Sequence, residues 1–142
     1  MATDKTLPRT RDGYEHWTPV TLRYSDQDPM QHINNVAITA MLESGRMNLL
    51  RQTLGEALRL QGMVLARLSI DYLHEIRFPD AVEVGGSISR VGGRSIASRL
   101  AIFQGETCCV VSESVNVFFD MKTRRSTEPN EDVARLLERL GV

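Results

Sequence analysis

Cysteine is scarce in this 142-residue chain: there are two, Cys108 and Cys109, and they are adjacent. Neighbours in a strand point to opposite faces, so these thiols are poorly placed to bond each other, which argues against a disulfide framework. Two adjacent cysteines do not make a metal site either, and no metal is expected. Such cysteine usage fits a reducing compartment, and a cytoplasmic location is expected. Long apolar runs are also missing. None approaches the roughly 20 residues that span a bilayer, and the stretch from Met1 to Trp17 is polar and lacks an apolar signal core. A basic excess is missing too. Lys and Arg number 17 against 18 Asp and Glu, for a net charge of −1. This balance argues against a polyanion binder, and neither nucleic acid nor membrane is expected as a partner. With no repeats or low-complexity segments, the length fits one domain.

What is present is a change of period along the chain. Residues 1–16, with Pro8, Gly13 and many charges, read as a flexible arm before a single domain over 17–142. Val20 to Tyr24 alternates apolar and polar, as a half-buried strand does, and Pro29 ends that pattern. Ile38, Met41, Leu42, Gly45, Leu49 and Leu50 then recur at helical spacing. They predict a helix over about 35–53, with Asn34 or Asn35 at its N-cap. From Met63 the period becomes two. Strands are expected over 65–73, 81–91, 95–103 and 108–121, the middle ones joined by turns at Gly92-Gly93 and Gln104-Gly105. A closing helix is expected over 128–140, with Pro129 at its start. One long helix followed by a four-stranded meander implies an α+β domain whose sheet curls around the helix. Such a sheet has an open edge, and pairing edges across a two-fold axis would cover it.

The chemistry concentrates in residues 23–35, Arg23-Tyr24-Ser25-Asp26-Gln27-Asp28-Pro29-Met30-Gln31-His32-Ile33-Asn34-Asn35. Two carboxylates, a histidine and two asparagines stand between a strand and the start of the longest helix. A helix N-terminus offers unpaired N–H groups and a positive dipole end to developing negative charge. A carboxylate beside it can act as general base or nucleophile. The plainer reading of the same residues is a turn followed by a cap, since Asp before Pro and Asn at an N-cap are common.

Asp26-x-Asp28-Pro29, His32-Ile33-Asn34-Asn35, Ile38 and Glu43-x-x-Arg46 together resemble the signature of the hotdog acyl-CoA thioesterases of the 4-hydroxybenzoyl-CoA thioesterase type. The later segments Ile70-Asp71-Tyr72-Leu73, Phe78-Pro79-Asp80 and Val117-Phe118-Phe119-Asp120 fit as well, so the resemblance covers roughly residues 18–125. It implies a five-stranded antiparallel sheet wrapped around one long helix, with a short C-terminal helix following. It also implies dimers pairing into tetramers, with the active site at the dimer interface. By the same resemblance Asp28 is the catalytic carboxylate, and the Asn35 N–H polarises the thioester carbonyl. His32 and Glu43 are further catalytic candidates. Asn34, Pro29 and Gln31 are expected near the substrate, and Arg90 and Arg94, with Arg124 and Arg125, near the CoA phosphates. The substrate is an acyl-CoA or acyl-carrier thioester. No separate cofactor is implied, because CoA is part of the substrate.

Two positions depart from the family pattern. Gln31 stands where many members have glycine, and Ile38 where an aromatic is common. Other residues read more plainly. Glu43 pairs with Arg46 at i+3 in the structural reading. Asp71 and His74 read as structural or pocket-rim residues. Ser112 and Ser114 have no base at a telling spacing. Two other functions compete. A hotdog hydratase would carry a histidine where this chain has Gln31, and a non-catalytic acyl-CoA-binding module would bind without releasing thiol.

Overall fold

The computed structural model describes residues 7–142. Its elements in chain order are β1 (His16–Val20), α1 (Asn35–Leu54), β2 (Met63–Tyr72), β3 (Val82–Val91), β4 (Ser95–Gln104), β5 (Thr107–Asp120), a two-residue β6 (Arg125–Ser126) and α2 (Glu131–Glu138). All strand pairs are antiparallel, in the order β1-β3-β4-β5-β2, with β6 on the far end of β5. No helix among the described residues is long and apolar enough to cross a membrane.

α1 begins where the sequence placed it because Asn34 caps it, its Oδ1 accepting the Ala37 N–H at 2.8 Å. Its apolar stripe of Ile38, Met41, Leu42, Leu49 and Leu50 is buried against Val84, Leu100, Ile102, Val110 and Phe118 of the sheet. Gly45 marks the closest approach. A methyl placed there would overlap the Val84 side chain, so glycine is what lets the helix reach the sheet. The outer face of the sheet carries a smaller cluster, in which Tyr14, Trp17 and Phe103 meet edge to face.

Three expectations change. The four later strands do not form a simple meander: β3, β4 and β5 do, but β2 pairs with β5 at the opposite edge from β1. Residues 92–94 and 105–106 are tight turns that force neighbouring strands together. Residues 73–81 contain no such turn and carry the chain across the sheet end instead. The first strand is His16–Val20, not Val20–Tyr24. Pro19 is tolerated in it because β1 is an edge strand, and the chain from Tyr24 to Asp26 instead makes a 3-10 turn. Finally, the arm from Pro8 onward is seated on the sheet. The Tyr14 hydroxyl donates to the Pro8 carbonyl at 2.7 Å. Arg11 stacks 4.2 Å from the Trp17 ring centre and pairs with Glu83 at 2.8 Å. Residues 1–6 lie outside the described residues. A curled five-stranded sheet around one long helix, with a short C-terminal helix, is the hotdog arrangement.

Gly45→Ala tests the helix–sheet contact. In an exposed helix this change stabilises by about 1 kcal/mol. Here overpacking against Val84, typically costing about 1–3 kcal/mol, should outweigh that gain. The urea midpoint of the variant should therefore fall below that of the wild type.

Candidate active site

The chain from Arg23 to Asn34 is built by its own hydrogen bonds. Asp26 is buried and accepts from the Arg23 backbone N–H at 2.8 Å and from its guanidinium at 2.8 Å. The Arg23 hydrogen bonds hold the Asp26 carboxyl below its usual range. Asp26 therefore acts as a structural clamp, and its carbonyl also accepts the Asn34 N–H at 2.9 Å. Gln27 and Ile33 bridge across the loop, while the Ile33 N–H donates to the Ile76 carbonyl at 2.9 Å. These bonds tie the start of α1 to both the preceding loop and the segment after β2.

Between Gln27 and Ile33 the backbone makes a tight turn. The Gln31 N–H donates to the Asp28 carbonyl at 2.9 Å and the Asp28 N–H to the His32 carbonyl at 3.0 Å. Gln31 closes the turn at φ +67°, in the left-handed region. This backbone requirement accounts for the glycine of the family pattern at this position.

The turn presents the Asp28 carboxylate with both oxygens engaged. Oδ1 accepts the Met30 N–H at 2.9 Å, and Oδ2 lies 3.1 Å from His32 Nδ1. The side chain is 23 % exposed, enough for water to reach it. Asp28 is joined through His32 to a cavity of about 260 Å³ lined by His32, Ile33, Asn35, Ile38, Tyr72 and His74. Within α1 the Asn34 side chain satisfies the Ala37 N–H and the Asn34 carbonyl satisfies that of Ile38. The Asn35 and Val36 N–H groups precede these and have no intrahelical acceptor. The arrangement therefore sets a histidine and the Asn35 end of the helix along one cleft, with the oriented Asp28 carboxylate behind the histidine.

The other candidates disperse. Asn34 is the cap. Pro29 and Gln31 are exposed at the turn. Arg90 and Arg94 sit at the β3–β4 end, where Ser95 pairs with Val117, whereas Tyr72 on the cleft pairs with Val110. Those seven residues of β5 put them roughly 23 Å away along the strand direction. Arg124 lies over the Phe119 ring and Arg125 pairs in β6, at the same remote end. Glu43 lines a separate cavity with Arg46. Arg46 is buried with its Nε and Nη1 unpartnered, so the expected Glu43–Arg46 ion pair is not formed. His74 is on the rim of the cleft, as one of its two readings had it. Tyr72 is a wall residue that sequence reasoning assigned only to a strand face, and its half-exposed ring is the signal in the structure. Cys108 and Cys109 are free, buried and on opposite faces of the sheet, and burial pushes the Cys108 thiol up to about 11.

A family model described as the thioesterase-like superfamily matches residues 22–137. Among solved structures, a protein from Pseudomonas aeruginosa strain PAO1 is 26 % identical, covers 94 % of this chain and 96 % of its own, and superposes with a TM-score of 0.81. A predicted thioesterase from Bacillus stearothermophilus is 28 % identical over 86 % of this chain and 93 % of its own, with a TM-score of 0.76. A thioesterase from Thermus thermophilus, complexed with coenzyme A and Zn, is 22 % identical over 87 % of this chain and 98 % of its own, with a TM-score of 0.77. No curated protein matches.

Two outcomes follow from the loop. Gln31→Gly relieves a left-handed side-chain cost of about 1–2 kcal/mol, partly offset by the greater unfolded-state freedom of glycine, about 0.5–1 kcal/mol. Urea unfolding should show a net gain, and Gln31→Val a loss. Asp26→Asn should destabilise near neutral pH. The folded Asp26 carboxyl ionises below its unfolded value of about 3.9, so its contribution is complete above that value and lost as pH falls through the lower folded pKa. The gap between variant and wild type should narrow in unfolding curves measured in acid.

Proposed function

Because the chain belongs to the thioesterase-like superfamily, whose model matches most of its length, we propose that this thioester hydrolase cleaves acyl-CoA, or the same pantetheine thioester on an acyl carrier, with Asp28 as its catalytic carboxylate. The observation that carries this reading is the Asp28 carboxylate, held by the Met30 N–H and by His32, a residue that itself lines a cleft beside Asn35 at the start of a 20-residue helix. The bound coenzyme A of the Thermus thermophilus relative supports the substrate class.

In the proposed reaction the thioester carbonyl oxygen lies against the Asn35 N–H, where the helix dipole favours the negative charge that develops on it. Asp28 acts as general base. A water held on its carboxylate attacks the carbonyl carbon and gives its proton to Asp28. The tetrahedral intermediate collapses by breaking the carbon–sulfur bond. The thiolate leaves and takes up the proton held on Asp28, which releases the free acid and CoA and returns Asp28 to its carboxylate form. A thiolate is a good leaving group, so no strong general acid is needed. His32 is a positioning residue that fixes the carboxylate rotamer. The enzyme is expected to work as a dimer or tetramer in the cytoplasm, since the free strand edge and the two reduced, buried cysteines are compatible with both.

Asp28→Asn should lower the rate of thiol release by about 10²–10⁴ while leaving the thermal melt unchanged. Near wild-type release by this variant would remove Asp28 from the mechanism. Tight acyl-CoA binding by the wild type with no thiol release would select the binding-module reading. Hydrolysis in ¹⁸O-labelled water should leave Asp28 unlabelled after one turnover, whereas label in Asp28 would make it the nucleophile.

A further inference from the structure

Arg46 is a buried cation without an acceptor. It is 4 % exposed, and its Nε and Nη1 are sealed from solvent with no hydrogen-bond partner. A guanidinium left in that condition is costly. The sheet beneath α1 is polar at the same level. Ser112, Ser114 and Asn116 occupy alternate positions of β5 between Val110 and Phe118, two residues packed in the core with α1. Alternate residues share a face, so these three also face the helix. They stand opposite Ile70, Leu68 and Leu65 of β2. Ser112 Oγ, Ser114 Oγ and Asn116 Oδ1 are buried and have no partner among the described residues.

Arg46 lines a cavity of about 390 Å³ that continues the cleft beside Asn35. On the helix side, Val36 and Thr39 of this cavity directly follow Asn35 and Ile38 of the cleft. On the strand side, Leu68 and Leu65 prolong the wall that starts at Tyr72. Val36, Ala40, Leu65 and Leu68 make the walls largely apolar, and the guanidinium stands at the far end. Such a channel is complementary to an apolar chain that ends in an anion. A planar guanidinium matches a carboxylate through two parallel N–H bonds. Arg46 lies eleven residues after Asn35, roughly 16 Å along the helix axis. Helical side chains lean toward the N-terminus, which shortens the span to be bridged. A short acid does not reach that far, and a medium-length chain does.

We propose that Arg46 is a specificity residue of the hydrolysis and that the acyl group is a medium-length chain ending in a carboxylate, its methylenes along the seam between α1 and β2 and its terminal carboxylate on the Arg46 guanidinium. The polar floor of serines lowers the cost of seating a charged tail there. The proposal rests on the hydrolytic reading above and names its substrate class.

Thiol release from matched pairs of esters tests it. Decanoyl-CoA is compared with sebacoyl-CoA, in which a carboxylate replaces the terminal methyl, and butyryl-CoA with succinyl-CoA, both too short to reach Arg46. The wild type should favour sebacoyl-CoA over decanoyl-CoA by about tenfold or more in kcat/KM, because a methyl tail leaves the guanidinium unpaired. The short pair should show no such preference. In Arg46→Met the ratio for the long pair should fall to about one or below, and Arg46→Lys, which keeps the charge without the fork, should retain part of it. Equal kcat/KM for the long pair, the same preference in the short pair, or a preference that survives in a folded Arg46→Met protein would each overturn the proposal. The wild-type comparison decides the matter even where Arg46→Met does not fold. Absence of thiol release from every ester would instead sink the hydrolytic reading. Calorimetric titration of the two long esters would then still test the tail site, with sebacoyl-CoA bound more tightly if the proposal holds and equal affinities overturning it.

Discussion

The seating of α1 in the concave face of the sheet is the constraint on which the rest depends. The helix axis is set by the bare backbone of Gly45 against Val84, and the packing of Leu42, Leu49 and Leu50 fills the space on either side. Its N-terminus is set separately, by the Ile33 N–H on the Ile76 carbonyl and the Asn34 N–H on the Asp26 carbonyl. A shift of the axis would move the unpaired Asn35 N–H. A shift of the loop would move Asp28. Because the two are fixed by different contacts that share Ile33 and Asn34, the carboxylate and the donor keep their mutual geometry.

Local signals carried much of this. The expected helix over 35–53 runs Asn35–Leu54, and the glycine turns at 92–93 and 105 join the strands they were expected to join. These features depend on residues close in sequence: a cap, a period of 3.6, a turn dipeptide. The family pattern then pointed to the loop from Arg23 to Asn35, whose Asn34 is the cap of α1. What could not be read was long-range. The place of β2 beside β5 is decided by how nine residues cross the sheet end, and nothing in their composition specifies an edge. The alternation of Val20 to Tyr24 misled because Leu22 is buried as a core residue of the loop, while the Asp26 clamp on Arg23 overrides strand pairing. The separation of Arg90 and Arg94 from the cleft is likewise a matter of strand register, which their charge does not carry.

Gln31 shows how a departure from a family pattern can be read physically. A left-handed backbone is what the position demands. A glycine there would serve the same turn at lower strain. The departure thus concerns the cost of holding the loop, and it leaves the Asp28 contacts with Met30 and His32 as they are. Ile38 is different. It is buried and lines the cleft with Asn35, so a branched aliphatic in place of a ring changes the room available beside the helix start.

The two cavities beside α1 follow one furrow. Near the helix start, Asn35 and Ile38 face Tyr72 at the end of β2; two turns on, Ala40, Glu43 and Arg46 face Leu68 and Leu65 nearer its beginning. Helix and strand therefore run antiparallel with an open seam between them. It holds a buried guanidinium at one end and, in the proposed mechanism, the reacting carbonyl at the other. Any group that expelled water from the Tyr72 end would strengthen the attraction between the helix N–H and the developing oxyanion, so the rate depends on how that end of the seam is covered as well as on Asp28.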